Sequence, residues 1–278
     1  EYDVFNTPQY RAVLLRGIAW AGKRANADEF CTPEELASLR YPPGGPLPAK
    51  EAMKTFALHP EFNLSLAADE NVAEKIMALD WDPQGRLWVV ETPEYPNGRD
   101  INKSDAKIAP WRVREPDKYP VGSKEPRPAR DCVSMLEDTN GDGIMDKKTV
   151  FADGLELPTS LVFYKDGVIV AQAPETLWIR DTDGDGRADR TEVLFTGWGT
   201  MDTHAVTSNL RWGPDGWVYG SVGYSAGDVK SADGTKKFGH ISAGLYRFRP
   251  EGSALEQIAA GSCNTWGCEI APDGEIFF

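Results

Sequence analysis

Four times in this chain an apolar run, a turn built on glycine and a second apolar run follow one another. The phrases are ALDWDPQGRLWVVE (78–91), SLVFYKDGVIVAQ (160–172), NLRWGPDGWVYGSV (209–222) and CEIAPDGEIFF (268–278). Each reads as a β-hairpin, because period-two alternation on both sides of a tight turn leaves the chain no other regular structure. The turn glycines stand at 85, 167, 216 and 274, so the spacings are 82, 49 and 58 residues. The first gap contains a polar, proline-rich insertion over roughly 92–130; without it the unit is about 40–50 residues. A four-stranded antiparallel unit repeated at that length is a propeller blade. The expected fold is therefore an all-β β-propeller holding about three and a half blades, where a closed ring needs about four to eight.

The 278 residues suffice for such a domain, and 27 glycines, 20 prolines and 9 tryptophans suit many short strands joined by tight turns. Ahead of the repeats the period is helical: Val13, Leu14, Ile18 and Ala21 share one face. Residues 25–54 have linker composition, with YPPGGPLP at 41–48. Within them TPEEL predicts a short capped helix, with Thr32 as N-cap, Pro33 at its first position and Glu35 closing a capping box. The expected division is 1–24, 25–54 and a propeller from 55 to 278. The chain begins at Glu1 and ends on GEIFF inside a strand pattern, which reads as a piece of a longer protein. No run reaches the roughly 18 apolar residues of a membrane span. A net charge of -13 argues against a nucleic-acid partner.

Two acidic loops repeat 43 residues apart, DTNGDGIMD (138–146) and DTDGDGRADRTE (181–192). Each lies between two strand patterns, so each is expected to join the outer strands of its own blade. Calcium takes six to eight oxygen ligands, and alternate acidic positions around a glycine turn supply them. In the second loop Asp181, Asp183, Asp185, Asp189 and Glu192 are the candidate ligands. In the first they are Asp138, Asn140, Asp142 and Asp146, with Thr149 at the twelfth position, which predicts a weaker site. The flanking strands exclude a helix-loop-helix sensor and make the expected role structural.

Of the three histidines, His59 reads as a surface or structural residue and His240 as a loop residue. His204 sits just before the inner strand NLRWGPDG, where a propeller opens onto its channel. From position alone it is either a catalytic base or a hydrogen-bonded structural histidine. Glu91, Glu94 and Tyr95 end the first hairpin, either as a solvated loop or as lining of the same mouth. The cysteines at 31, 132, 263 and 268 form no CxxC or CxxCH; Cys263 and Cys268 are either bridged or free. No GxSxG, phosphate-binding loop or GxGxxG follows a strand.

Together SMLEDTNGDGIMDKKTVFADGLELPTSL, LWIRDTDGDGRADRTEVLFTG, DTHAVTSNLRWGPDGWVYGSVG and GSCNTWGCEIAPDGEIFF resemble the membrane-bound dehydrogenase family of planctomycetes and verrucomicrobia. Those are PVC-type haem-binding proteins, large and secreted, that often carry a c-type cytochrome domain. That family is similar to the soluble glucose and sorbosone dehydrogenases, propellers that use pyrroloquinoline quinone and calcium. The resemblance implies a periplasmic or secreted NHL-like propeller that oxidises a sugar or alcohol. It implies His204 as the base, Asn264 and Arg211 toward the cofactor, and calcium in the acidic loops. Haem c would lie on a part of the protein outside this sequence. The implied partners are a carbohydrate substrate, a c-type cytochrome and further segments of the same polypeptide. The histidine-to-GPDG spacing is one residue longer here, and Cys263 stands where those dehydrogenases have an arginine. Residues 1–24, through LLRGIAWAGKR, resemble the closing segment of a trehalose-utilisation-like, amidotransferase-fold domain. The other reading is a non-catalytic, calcium-stabilised propeller that binds a glycan or protein partner.

Overall fold

The structure, a computed structural model, describes residues 3–39, 47–96 and 129–278. Most of the insertion at 92–130 and most of the YPPGGPLP run lie outside the described residues. The chain divides into two compact units, Glu1–Leu64 and Ser65–Phe278.

In the first unit α1 (Pro8–Ala21) starts on Thr7, whose hydroxyl accepts from the Tyr10 N–H at 3.3 Å. Within residues 25–54 the expected capped helix is α2 (Pro33–Ser38), and a 3-10 turn (Asp28–Phe30) precedes it. The capping box on Thr32 and Glu35 is present. Glu35 also meets Arg11 at 2.8 Å, which ties α2 to α1. Ala12 and Ala19 are the buried residues of α1, whereas Val13, Leu14 and Ile18 stay exposed. A third helix, α3, spans Ala49–Met53.

The second unit is a row of antiparallel meanders. Blade one is β1 (Ile76–Trp81), β2 (Leu87–Glu91), β3 (Asp131–Glu137) and β4 (Lys147–Leu155), paired in that order. Blade two is β5 (Ser160–Tyr164), β6 (Gly167–Gln172), β7 (Glu175–Arg180) and β8 (Arg190–Thr196). Blade three pairs β9 (Thr207–Trp212) with β10 (Val218–Val222). A hairpin, β11 (Gly227–Ser231) and β12 (Lys237–Ile241), intervenes before β13 (Gly244–Phe248) and β14 (Leu255–Ala260) complete the blade. A last hairpin is β15 (Glu269–Ile270) with β16 (Ile276–Phe277). The first strand of each blade is the inner one. Between the inner strands of blades two and three the Trp212 indole donates to the Phe163 carbonyl at 3.0 Å, and the Leu210 N–H to Ser160 Oγ at 3.2 Å.

The middle strands are apolar on both sides because both sides are covered. Val168 and Val170 of β6 face a cluster shared with Trp88, Val133 and Phe151 of blade one. Ile169 and Ala171, one residue out of phase, face a cluster shared with Leu210, Val218, Tyr246 and Phe248 of blade three. Alternation thus sends successive side chains of one strand into two different cores.

Three sequence expectations change. The repeat is not uniformly four-stranded: β11 crosses from blade three to pair with β8, making blade two a six-stranded sheet. The crossing covers the β8 edge, which would otherwise present unpaired backbone groups, and buries Val229 and Ile241 against Phe195. His240 consequently lies on a strand, opposite Asp228, rather than in a loop. Gly167 is not the left-handed residue of its turn; that role falls to Lys165, at φ 50°. Gly167 opens β6 where the neighbouring strand passes close, and a Cβ there would stand 2.0 Å from the Ile179 carbonyl oxygen.

Both acidic loops do join outer strands, β3 to β4 and β7 to β8. Their eighth residues make equivalent contacts: Met145 donates its N–H to the Ala67 carbonyl and Ala188 donates to the Phe151 carbonyl, each at 2.7 Å. The second loop thereby fastens blade two to the outer strand of blade one.

Gly167→Ala should cost about 2–3 kcal/mol, since the β6–β7 ladder must yield to a methyl group inside it. Urea unfolding of the variant checks this, and an unchanged midpoint would contradict the close approach.

Candidate active site

His204 lies in the turn that leads into β9. Two residues earlier, Asp202 accepts from the His204 backbone N–H at 2.9 Å, and the same oxygen lies 2.8 Å from the imidazole Nδ1. A carboxylate only accepts, so Nδ1 is a donor in this pair and Nε2 is the nitrogen turned away from it. The other Asp202 oxygen takes the Tyr224 hydroxyl. Three donors on one carboxylate, Tyr224 first and then the His204 backbone and ring, hold the Asp202 pKa down to about 2. Ser225 closes the turn, with its hydroxyl accepting from Asp202 N at 3.0 Å and donating to Asp202 O at 2.9 Å. The His204 side chain remains 55% exposed, so a fixed imidazole faces outward.

Tyr95 reaches this place from blade one, its ring edge-to-face with His204 at 5.3 Å between centroids. Asn264 comes close to Ala205, the residue that follows His204. A Cβ on Gly223 would fall 2.3 Å from Asn264 Oδ1 and 2.7 Å from Ala205 Cα, so only glycine lets these segments close up. Arg211 is not part of the group. It sits near the far end of β9 and faces Glu269 at 3.7 Å. Of the residues singled out in the sequence, the structure brings together His204, Asn264 and Tyr95, and leaves Arg211 apart. Asp202 and Tyr224 were missed; the D-x-H spacing was the legible signal for the first.

Glu91 and Glu94 do not form a solvated loop, being 2% and 0% exposed. Glu91 accepts from Ser134 Oγ at 2.6 Å, Glu74 N at 2.8 Å and Lys148 Nζ at 2.8 Å. Burial alone would raise its pKa, but these donors outweigh it and hold the carboxyl below its ordinary value. The Glu94 N–H is taken by Asp131 at 2.9 Å. The four cysteines are free thiols; Cys263 is exposed and Cys268 buried, so no bridge joins them.

The acidic loops lie at the opposite end of the strands. β9 begins three residues after His204, as β1 begins at the end of β2, whereas β3 and β7 run parallel to the inner strands and end at the loops. In the second loop the carboxylates of Asp181, Asp183 and Asp185 come within 4.8 Å of one another. Asp189 is held by the Thr182 hydroxyl at 2.5 Å. Glu192 is not brought to them either: its Oε1 lies 3.0 Å from both Arg180 and Arg190. In the first loop Asp138 accepts from the N–H groups of Gly143, Gly141 and Asp142, which hold its pKa below the ordinary value. Asn140 and Asp142 each accept a backbone N–H two residues on, and Asp146 accepts from Thr139. Thr149, at position twelve, is a strand residue opposite Met135.

A family model described as a domain of unknown function, DUF7133, matches residues 48–278. The chain belongs to this family. No curated protein matches it. Among solved structures it is similar to an oxidoreductase described as a glucose dehydrogenase from Thermus thermophilus, at 16% identity, 52% of this chain, 38% of that one and a TM-score of 0.27. It is similar to a protein described as a 6-phosphogluconolactonase from Bacteroides uniformis, at 12% identity, 72% and 45% coverage and a TM-score of 0.32. A luciferin-regenerating enzyme shares 11% identity over 67% of this chain and 62% of its own, with a TM-score of 0.33. The chain spans less than two thirds of each of these proteins.

The residues around His204 do not match the quinone that the sequence resemblance implies. A cofactor with several carboxylates needs cationic partners. Among the described residues the site offers Asp202, hydroxyls and the Asn264 amide; Lys75 is engaged with the Tyr95 carbonyl at 3.2 Å, and Arg211 with Glu269. That donor set does not fit such a group, and no step is derived through it.

Glu91→Gln should lower stability at pH 7 by about 2 kcal/mol by leaving Lys148 without its counter-charge. Because the folded-state pKa of Glu91 is depressed, its contribution is present above the unfolded value, about 4.3, and is lost as pH falls through the folded one. Urea titrations at pH 7 and pH 3.5 should therefore show the gap between wild type and variant narrowing with acid. A gap that widens would contradict the sign.

Proposed function

We propose that the Ser65–Phe278 unit is a dehydrogenase-like propeller domain in which His204 removes the proton from a hydroxyl of a carbohydrate or alcohol. The observation that carries the reading is the His204–Asp202–Tyr224 chain, centred on the carboxylate, which fixes one imidazole nitrogen and leaves the other facing outward. A base held in one tautomer within reach of a substrate proton is the arrangement general base catalysis requires. The carbon-bound hydrogen leaves with its electron pair to an external two-electron acceptor. A quinone and a c-type cytochrome are what the sequence resemblance implies for that role, and the residues around His204 do not hold the quinone. Neither acceptor is assigned to residues of this chain. The sequence resemblance to secreted membrane-bound dehydrogenases supports this class of reaction and a periplasmic or secreted location. Among the described residues no helix is long and apolar enough to cross a membrane.

Calcium belongs to the same reading, with Asp181, Asp183 and Asp185 as the ligands of the second loop and Asp138, Asn140 and Asp142 as their counterparts in the first. Placed on the face away from His204, the ion would stiffen the contacts of Met145 and Ala188 with the neighbouring chain and take no part in the reaction. A second reading, a calcium-stabilised propeller that binds a glycan or protein partner without turnover, is favoured by the shortage of cationic partners around His204.

His204→Ala separates the two readings. In the first it lowers oxidation of an active sugar or alcohol on the order of a hundredfold or more, followed with an artificial electron acceptor. Full activity in the variant would end the catalytic reading. Chelation tests the loops: a cation bound only by the folded state stabilises it by mass action, so removal from a saturated protein should lower Tm by about 5 °C or more. No shift on chelation would count against both loops.

A further inference from the structure

Tyr95 reaches His204 across 109 residues of sequence, and the intervening chemistry serves to hold it there. Its segment is clamped through the main chain at four points. Glu94 N donates to Asp131 Oδ1 at 2.9 Å and Tyr95 N to Thr92 O at 3.0 Å. Lys75 Nζ donates to Tyr95 O at 3.2 Å and Thr203 Oγ1 to Pro96 O at 2.7 Å. The last bond comes from the residue next to His204, so the histidine turn of blade three grips the tyrosine segment of blade one directly. Asp131, which also accepts from Leu157 N at 2.7 Å, is wholly buried, so the clamp is anchored in the interior. By contrast, the Tyr95 side chain is half-buried, and among the described residues its hydroxyl has no hydrogen-bond partner. Burial and the nearby Asp202 charge raise its pKa, which keeps the phenol neutral beside the carboxylate. A segment fixed so completely by its backbone, with its aromatic side chain left partly open, is built to present that side chain.

The planes of Tyr95 and His204 meet at 69°. They form two walls of a corner. A saturated ring resting its C–H face on the tyrosine turns its edge, where hydroxyl groups project, toward the imidazole. We propose that Tyr95 is a specificity-determining wall of the His204 site, contributed by blade one, and that it selects pyranose-sized rings over open-chain alcohols. The proposal rests on the reading of His204 as the reacting base. It assigns Tyr95 to ground-state positioning and leaves the proton transfer to His204.

The test compares wild type, Tyr95→Ala, Tyr95→Phe, Thr203→Val and His204→Ala as full chains, with unfolding midpoints measured alongside. The probes are aldopyranoses, D-glucose first, and open-chain alditols, assayed for binding by calorimetry and for oxidation with an artificial electron acceptor. Tyr95→Ala is expected to raise KM and Kd for the pyranose about tenfold, with kcat much less affected and alditols unaffected. Tyr95→Phe should stay within about threefold of wild type, because the ring face is kept. Thr203→Val should fall between them, because it loosens the clamp and spares the ring. Pyranose KM unchanged in Tyr95→Ala, with turnover still dependent on His204, would overturn the assignment of Tyr95 and leave the base reading standing. A Phe variant as impaired as the Ala variant would overturn the wall by showing that the hydroxyl does the work. Wild type that neither binds nor oxidises any probe would remove the base reading and this proposal with it.

Discussion

The structure depends on burying both faces of its middle strands. β6 is the clearest case: Val168, Ile169, Val170 and Ala171 are all fully buried, alternate residues going to blade one and to blade three. Each of the three larger side chains, Val168, Ile169 and Val170, contributes about 1.5–3 kcal/mol on burial, and the Ala171 methyl less. No single sheet could gain that on its own, since one of its faces would stay wet. The blades are therefore obligatory neighbours. The aromatic contacts at the seam follow from the same requirement, with Trp88 of blade one set edge-on to Phe163 of blade two at 5.3 Å.

This packing makes a site out of distant segments. Stacked sheets of equal polarity bring the starts of inner strands and the ends of second strands to one face. Tyr95 follows β2 and His204 precedes β9, so stacking places both on that face. The acidic loops end third strands and so fall on the other face. A division of labour results: one face carries an oriented imidazole with aromatic and amide neighbours, and the opposite face carries the oxygen-rich loops that dock blade on blade. The β11–β12 hairpin adds a further tie, since it belongs to blade three in sequence but to the sheet of blade two in space.

Much of this was legible in advance. The four hairpins, the place of the acidic loops between outer strands and the capped helix at Thr32 all follow from local rules, in which turn residues and period-two patterns act over a few positions. The misreadings were non-local. Glu91 and Glu94 look like loop carboxylates beside PNG; only the arrival of Lys148 and Ser134, from strands much later in the chain, explains why Glu91 is buried and still charged. Gly167 looks like a turn glycine because KDG is a turn phrase, yet the passing Ile179 carbonyl is what excludes a side chain there. The 58-residue spacing between Gly216 and Gly274 was the one trace of the inserted hairpin, and spacing alone does not say which sheet an extra hairpin joins.

The amino-acid sequence by itself determined the type of unit and its repeat, because alternation and turn chemistry are properties of neighbouring residues. It also set Asp202 within reach of His204, since residues two apart in a tight turn are close in space. Only the tertiary structure decided that Tyr95 and Asn264 join them, that Arg211 does not, and that Glu192 is held by Arg180 and Arg190 instead of joining the loop aspartates. Those outcomes depend on how sheets stack and which strand ends share a face, and the stacking is set by buried side chains summed over whole blades.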